Sequence, residues 1–159
     1  MTELLEAHPW AMPPAELLGL LDAQHLLLQR VRAALLATVR ELDARDVAAE
    51  LGAPSTGLLL RGRLRVSAST GQRWVRAAKA LDIAPPVVQD AAAAGAVNAD
   101  QVRAITTILG RLTGEVEPDV VQAAAARLVE DAASLDADAV AELGRHVLRL
   151  VAPHLADDA

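Results

Sequence analysis

From Pro14 to Asp43 the chain keeps helical spacing without a break. Leu17, Leu21, Leu28, Val31, Leu35 and Leu42 follow one another at alternating steps of three and four or their multiples. Gln24 and Thr38 interrupt that seam, while Leu20, Leu27 and Ala34 widen the apolar stripe beyond a two-stranded one. The spacing therefore predicts a long bundle helix, with a coiled coil or a homodimer through residues 14–43 as the alternative. Pro13 and Pro14 suit its entry, because the first turn of a helix has no use for their missing amide donors.

The rest of the chain is built to the same rule. More than half of it is hydrophobic, yet it holds no Phe, no Tyr and only Trp10 and Trp74, so its core must be made of Leu, Val and Ala. Ala and Leu are the strongest helix formers, and the β-branched and aromatic residues that favour strands are sparse. A length of 159 residues fits one hydrophobic core burying about two thirds of the unfolded surface. These features predict an all-α, single-domain, multi-helix bundle. Its expected organisation is an N-terminal extension over 1–13, a helical domain over 14–152 and a flexible tail over 153–159.

Further helices are marked by their ends. A short one is expected at Asp46 to Leu51, stopped by Gly52 and Pro54. Ser55 to Leu64 reads either as an extended arm, since Arg61, Arg63 and Arg65 alternate with Gly62, Leu64 and Val66, or as a short helix with a turn near Arg65. A lone strand would have no partner, which favours the helix. Ser69 or Thr70 is expected to cap a helix running to about Leu81, and Asn98 to cap one through "DQVRAITTILGRL". Two more should follow at about 118–133 and 136–151. The string "PPVVQ" at 85–89 returns as "PDVVQ" at 118–122, each followed by an Ala-rich helix and a "D-x-V" start, which suggests two related helical hairpins.

Charge points to a functional surface. Residues 61–79, "RGRLRVSASTGQRWVRAAK", carry six cations and no acid, and no Asp or Glu occurs between Glu50 and Asp82. The chain as a whole has net charge −6, so the other segments carry about −12 by difference. On a helical wheel, Trp74, Ala77, Ala78 and Leu81 share one arc, and Gln72, Arg73, Arg76 and Lys79 share another. A merely soluble helix would mix acids among its bases for i,i+4 support. An acid-free cationic face instead invites an external anion, most often a phosphate backbone, or else the chain's own acidic helices.

The order "LRVSASTGQRWVRA" is similar to the turn and second helix of a helix-turn-helix element. By that likeness Ser67, Ser69, Thr70, Gln72 and Arg73 would face DNA, Arg76 and Lys79 would hold phosphates, and Val66 and Trp74 would pack inward. Arg61, Arg63 and Arg65 complete the candidate nucleic-acid-binding set. Three residues depart from the pattern: Arg65 where the turn usually has Gly, Gly71 where a buried Val or Ile is usual, and Arg61 where a small residue lets the helices touch. Gly71 is expected to weaken both the helix and its packing.

Beyond this element, "STGLLLRGRLRVSASTGQRWVRAAKAL", "PPVVQDAAAAGAVNADQVRAITTIL" and "VVQAAAARLVEDAASLDADAVAELGRHVLRLV", following the leucine-rich helix, carry a wider likeness. Over roughly residues 14–152 the chain resembles the N-terminal domain of the actinobacterial 13E12-repeat family, domain of unknown function 222. The resemblance implies a module commonly followed by an HNH endonuclease, and hence a DNA-targeting role. A nuclease site is not carried over, because such a site needs a histidine base beside metal ligands, usually near a four-cysteine zinc. This chain has no Cys and four scattered histidines, His8, His25, His146 and His154.

Other chemistry finds no footing. His146, His154, Asp157 and Asp158 do not share a helical face across Pro153, His25 reads as a flanking residue, and adjacent Glu130 and Asp131 point apart. No Gly-rich phosphate loop or Ser-His-Asp order is present. The expectation is a non-catalytic protein with no cofactor, no metal and no small-molecule ligand. The acidic, proline-containing N-terminus does not fit a signal peptide, and no apolar run reaches the roughly 18 residues of a membrane span, so a cytoplasmic location is expected.

Overall fold

The computed structural model describes Leu4 and residues 6–155. Those residues form α1 (Pro14–Ala44), α2 (Val47–Glu50), α3 (Thr56–Leu64), α4 (Ala68–Asp82), α5 (Pro86–Ala94), α6 (Ala99–Leu112), α7 (Pro118–Ala132) and α8 (Ala137–Val151), with 3-10 turns at Pro9–Ala11 and Pro153–Leu155. The protein is an all-α bundle, and the described residues contain no strand. No helix among them is long and apolar enough to cross a membrane. The expected extension and tail fall partly outside the described residues, at 1–3, 5 and 156–159.

Local chemistry sets most boundaries. Pro14, Pro86 and Pro118 open α1, α5 and α7 in their first turns. Asn98 accepts from the amides of Asp100 and Gln101 while Gln101 Oε1 accepts from Asn98 N–H, a reciprocal capping box at the start of α6. Gly95, at φ +76°, ends α5 in the left-handed conformation that glycine adopts without strain. One cap differs from the sequence expectation, and another is added to it. Ser67, not Ser69 or Thr70, caps α4 by accepting from Thr70 N–H, and Asp136 caps α8 by accepting from Ala139 N–H. Ser69 and Thr70 already lie inside the first turn of α4.

Two hydrophobic clusters hold the helices. The larger joins α5 to α8 around Val88, Ile105, Leu112, Ala125, Leu128, Val140 and Leu148. Here α6 lies along α8 and α5 touches α7, so the members of the two "VVQ" hairpins pack on their counterparts. Small residues bring the backbones together: a Cβ on Gly144 of α8 would stand 2.5 Å from Ile108 Cγ1 of α6. Gln101, buried at the start of α6, donates to the carbonyls of Ala132 and Leu135 at 2.7 Å and so satisfies the end of α7. The smaller cluster sets Leu36 and Val39 of α1 against Leu60 of α3 and Ala78 of α4, with Trp74, Val75 and Leu81 around them.

The long helix faces the body with a different side from the one its leucine seam suggested. Gln29, Ala33, Leu36 and Val39 turn inward, while Leu21, Leu28 and Val31 of the seam are more than half exposed. The reason is tertiary. Leu26 and Arg30 must lie over Gly95, and Gln29 Oε1 must reach Ala99 N–H, and both contacts rotate the seam outward.

Candidate nucleic-acid interface

Residues 55–66, ambiguous in sequence, are helical. Ser55 caps α3 by accepting from Leu58 N–H, and the chain turns into α4 through Arg65, at φ +58°. This is the position where a helix-turn-helix element usually has Gly, and the backbone takes the left-handed form with an arginine in place. A non-glycine residue is strained there by roughly 1 kcal/mol or more. Arg65→Gly is therefore expected to raise stability by about 0.5–1 kcal/mol in urea unfolding; a loss of stability would contradict the strain.

Gly71 corrects the sequence reading most sharply. It does not weaken the packing of α4 but makes it: it is buried, and a Cβ there would overlap the carbonyl oxygen of Gly57 and stand 3.1 Å from its carbon. Gly57, rather than position 61, is the small residue that lets α3 and α4 touch, and Arg61 is left exposed. Val66 and Trp74 are half-buried, and Trp74 packs against the Leu36 and Val39 cluster.

The structure sorts the candidate residues by what they touch. Arg61, Arg63, Arg65, Arg73 and Arg76 are exposed and have no carboxylate within 4.0 Å among the described residues. Ser69 and Gln72 are exposed beside them. Ser67 Oγ is occupied at the cap and donates to Thr70 Oγ1 at 2.9 Å, and Thr70 Oγ1 accepts from Arg73 Nη2 at 3.2 Å. The hydroxyls thus orient Arg73.

Lys79 stands apart. Its Nζ lies 2.8 Å from Asp43 Oδ2 on α1, and Asp43 Oδ1 accepts from Thr56 Oγ1 at 2.8 Å, so the three residues tie α1, α3 and α4. Close by, Arg40 Nε donates to Asp82 Oδ2 at 2.7 Å, which holds the Arg40 guanidinium charged above its ordinary range. The hydrogen bond from Lys79, aided by Thr56, holds the Asp43 carboxyl below the usual carboxylate range. A lowered carboxyl stabilises the fold when ionised, so this contribution is complete above the unfolded pKa of about 3.9 and lost as pH falls through the lower folded value. Asp43→Asn should accordingly destabilise at neutral pH and reduce the loss of stability between about pH 5 and 2. Parallel acid-unfolding curves for variant and parent would contradict this.

Two cations not singled out in sequence line a cleft beside this surface, outside the candidate DNA-facing set. Arg73 and Arg76 share a cleft of 690 Å³ with Arg32 of α1 and Arg103 of α6. Nothing local announces Arg32 or Arg103, since each is one more polar residue on an amphipathic helix. As for metals, His146 is exposed and His154 Nε2 lies 3.4 Å from Glu115 Oε2; Asp157 and Asp158 lie outside the described residues. Among the described residues no three His, Asp or Glu side chains cluster as a metal site would require.

A family model described as "Domain of unknown function (DUF222)" matches residues 19–157, nearly the whole chain. No curated protein and no solved structure matches it.

Proposed function

The chain belongs to the DUF222 family, and we propose that it is a non-catalytic DNA-binding module of the cytoplasm that presents α3, its turn and α4 to duplex DNA, targeting DNA for an HNH nuclease. The observation that carries this reading is the clustering on α3, its turn and α4 of five arginines, at 61, 63, 65, 73 and 76, without intramolecular carboxylates among the described residues. Arg30, Arg32 and Arg111 also lack one but lie on other helices, and Arg40, Arg45, Lys79, Arg103, Arg127, Arg145 and Arg149 each have one. Uncompensated guanidiniums repel one another, and an external phosphate backbone relieves that repulsion. In this arrangement the exposed face of α4, with Ser69, Gln72 and Arg73, enters the major groove, and Arg61, Arg63, Arg65 and Arg76 hold flanking phosphates.

The test is the salt dependence of binding to a short duplex. The plot of log affinity against log salt should flatten by roughly 0.9 for each phosphate contact removed. The triple variant Arg61→Gln, Arg73→Gln and Arg76→Gln should lose affinity at least tenfold with unchanged helicity. Lys79 is left out because its loss would break the Asp43 pair. Equal affinity and slope in variant and parent would end the DNA reading.

A second reading is favoured by the outward seam of α1, where Leu21 is 61% and Leu28 is 60% exposed. In it α1 pairs with a second copy or a partner helix, without nucleic acid. Light scattering would separate the two: a monomer at micromolar concentration that still shifts DNA excludes it, and a dimer dissociated by Leu28→Glu supports it.

A further inference from the structure

The cleft between α1, α4 and α6 differs in kind from the open surface of α3. Its lining includes four arginines, Arg32, Arg73, Arg76 and Arg103, and one acidic residue, Asp100, which pairs with Arg103 at 3.3 Å. Between them the lining is mostly apolar, with Ala33 and Leu36 from α1, Ala77 and Leu81 from α4, and Val102 from α6, beside the hydroxyls of Thr106 and Thr107. One lining side chain is largely buried yet leaves a solvent-accessible donor unbonded. Gln29 is 8% exposed, its Oε1 accepts from Ala99 N–H at 3.0 Å, and its Nε2 has no hydrogen-bond partner among the described residues. The volume of 690 Å³ lies in the range of small-molecule sites, and charge around an apolar floor is how such sites divide orientation from affinity.

We propose that this cleft binds an organic phosphate with an apolar body. Arg32, Arg73 and Arg76 hold the anionic head, the Gln29 amide donates to it or to an adjoining polar group, and the body lies on the alanine, leucine and valine floor. A free inorganic anion would leave that floor uncovered, and a continuous phosphodiester backbone has no apolar body to place there. The proposal departs from the sequence expectation of no small-molecule ligand, because the cleft exists only where three helices distant in sequence meet. One consequence rests on the DNA reading. Arg73 and Arg76 belong to both surfaces, so an occupant of the cleft competes with DNA and makes binding ligand-responsive.

The experiment titrates the full chain with anilinonaphthalene sulfonate, a fluorescent anion with an apolar body. Saturable binding of one probe per chain is expected, weakened at least tenfold in Arg32→Gln and in the cleft-filling Thr106→Trp, with circular dichroism unchanged for Arg32→Gln. Parental probe affinity in Arg32→Gln overturns the proposal, whatever the tryptophan variant does to folding. Displacement by decyl phosphate assigns an aliphatic body and displacement by adenosine monophosphate a nucleotide; displacement by neither at millimolar concentration also overturns it. Bound probe should raise the dissociation constant for DNA in the parent, and without probe Arg32→Gln should bind DNA as the parent does. Probe binding that depends on Arg32 in a protein that ignores DNA would retain the cleft and discard the DNA reading.

Discussion

Replacing Gly71 by valine should remove about 3 kcal/mol or more of folding stability, near the top of what overpacking does in a core. The obstacle is backbone, not a flexible side chain. A Cβ at position 71 overlaps the Gly57 carbonyl oxygen and crowds Gly57 Cα at 3.3 Å, so α3 and α4 must separate. Separation breaks the cluster of Leu60 and Ala78 with Leu36 and Val39, on which the whole basic surface is mounted. Valine would also lower the helix propensity less than glycine does, by a few tenths of a kcal/mol, far too little to offset the clash. Urea unfolding of the variant measures the loss, and a change below about 1 kcal/mol would mean that the two helices do not meet at these glycines.

Truncation of Leu128 to alanine is expected to destabilise by about 3–5 kcal/mol, the upper part of the range for buried leucines. Leu128 is fully buried in α7, and the cluster around it is made chiefly of Ala, Val and Leu without an aromatic ring. Short, stiff neighbours cannot reach across to refill the space, so most of the cavity remains and its lining loses dispersion contacts. Against a typical total of 5–15 kcal/mol, such a loss leaves a small domain marginal at 37 °C. Thermal unfolding would register it directly, and a shift of only a degree or two would indicate a loosely packed core. Since Leu128 lies outside the α1, α3 and α4 cluster, any DNA affinity measured on the folded fraction should stay at the parental value.

The helices themselves were legible because they are written in short-range rules. Periodicity over Pro14 to Asp43, prolines at 86 and 118, Asn98 with Gln101 three positions on, and Gly95 at a helix end each act within one or two turns of the chain. The cap of α4 shows the limit of even these rules. Ser67, Ser69 and Thr70 all offer a hydroxyl, and which becomes the cap depends on where the left-handed turn at Arg65 leaves the chain. The candidate site was legible as a charge pattern and not as a surface. All six cations of 61–79 looked alike in sequence, but Lys79 is joined to Asp43, a residue 36 positions away, and Arg73 and Arg76 meet Arg32 and Arg103 across a cleft.

The amino-acid order alone determined an all-α chain, the places where most helices start and stop, and a basic stretch without acids, because propensity, capping and charge are properties of neighbouring residues. Only the tertiary structure decided which face of α1 turns inward, why residue 71 must be glycine, which cations find internal partners and which four arginines line one cleft. Those outcomes depend on how closely two backbones approach and how one helix is rotated against another, and such quantities are set by packing among residues far apart in the chain.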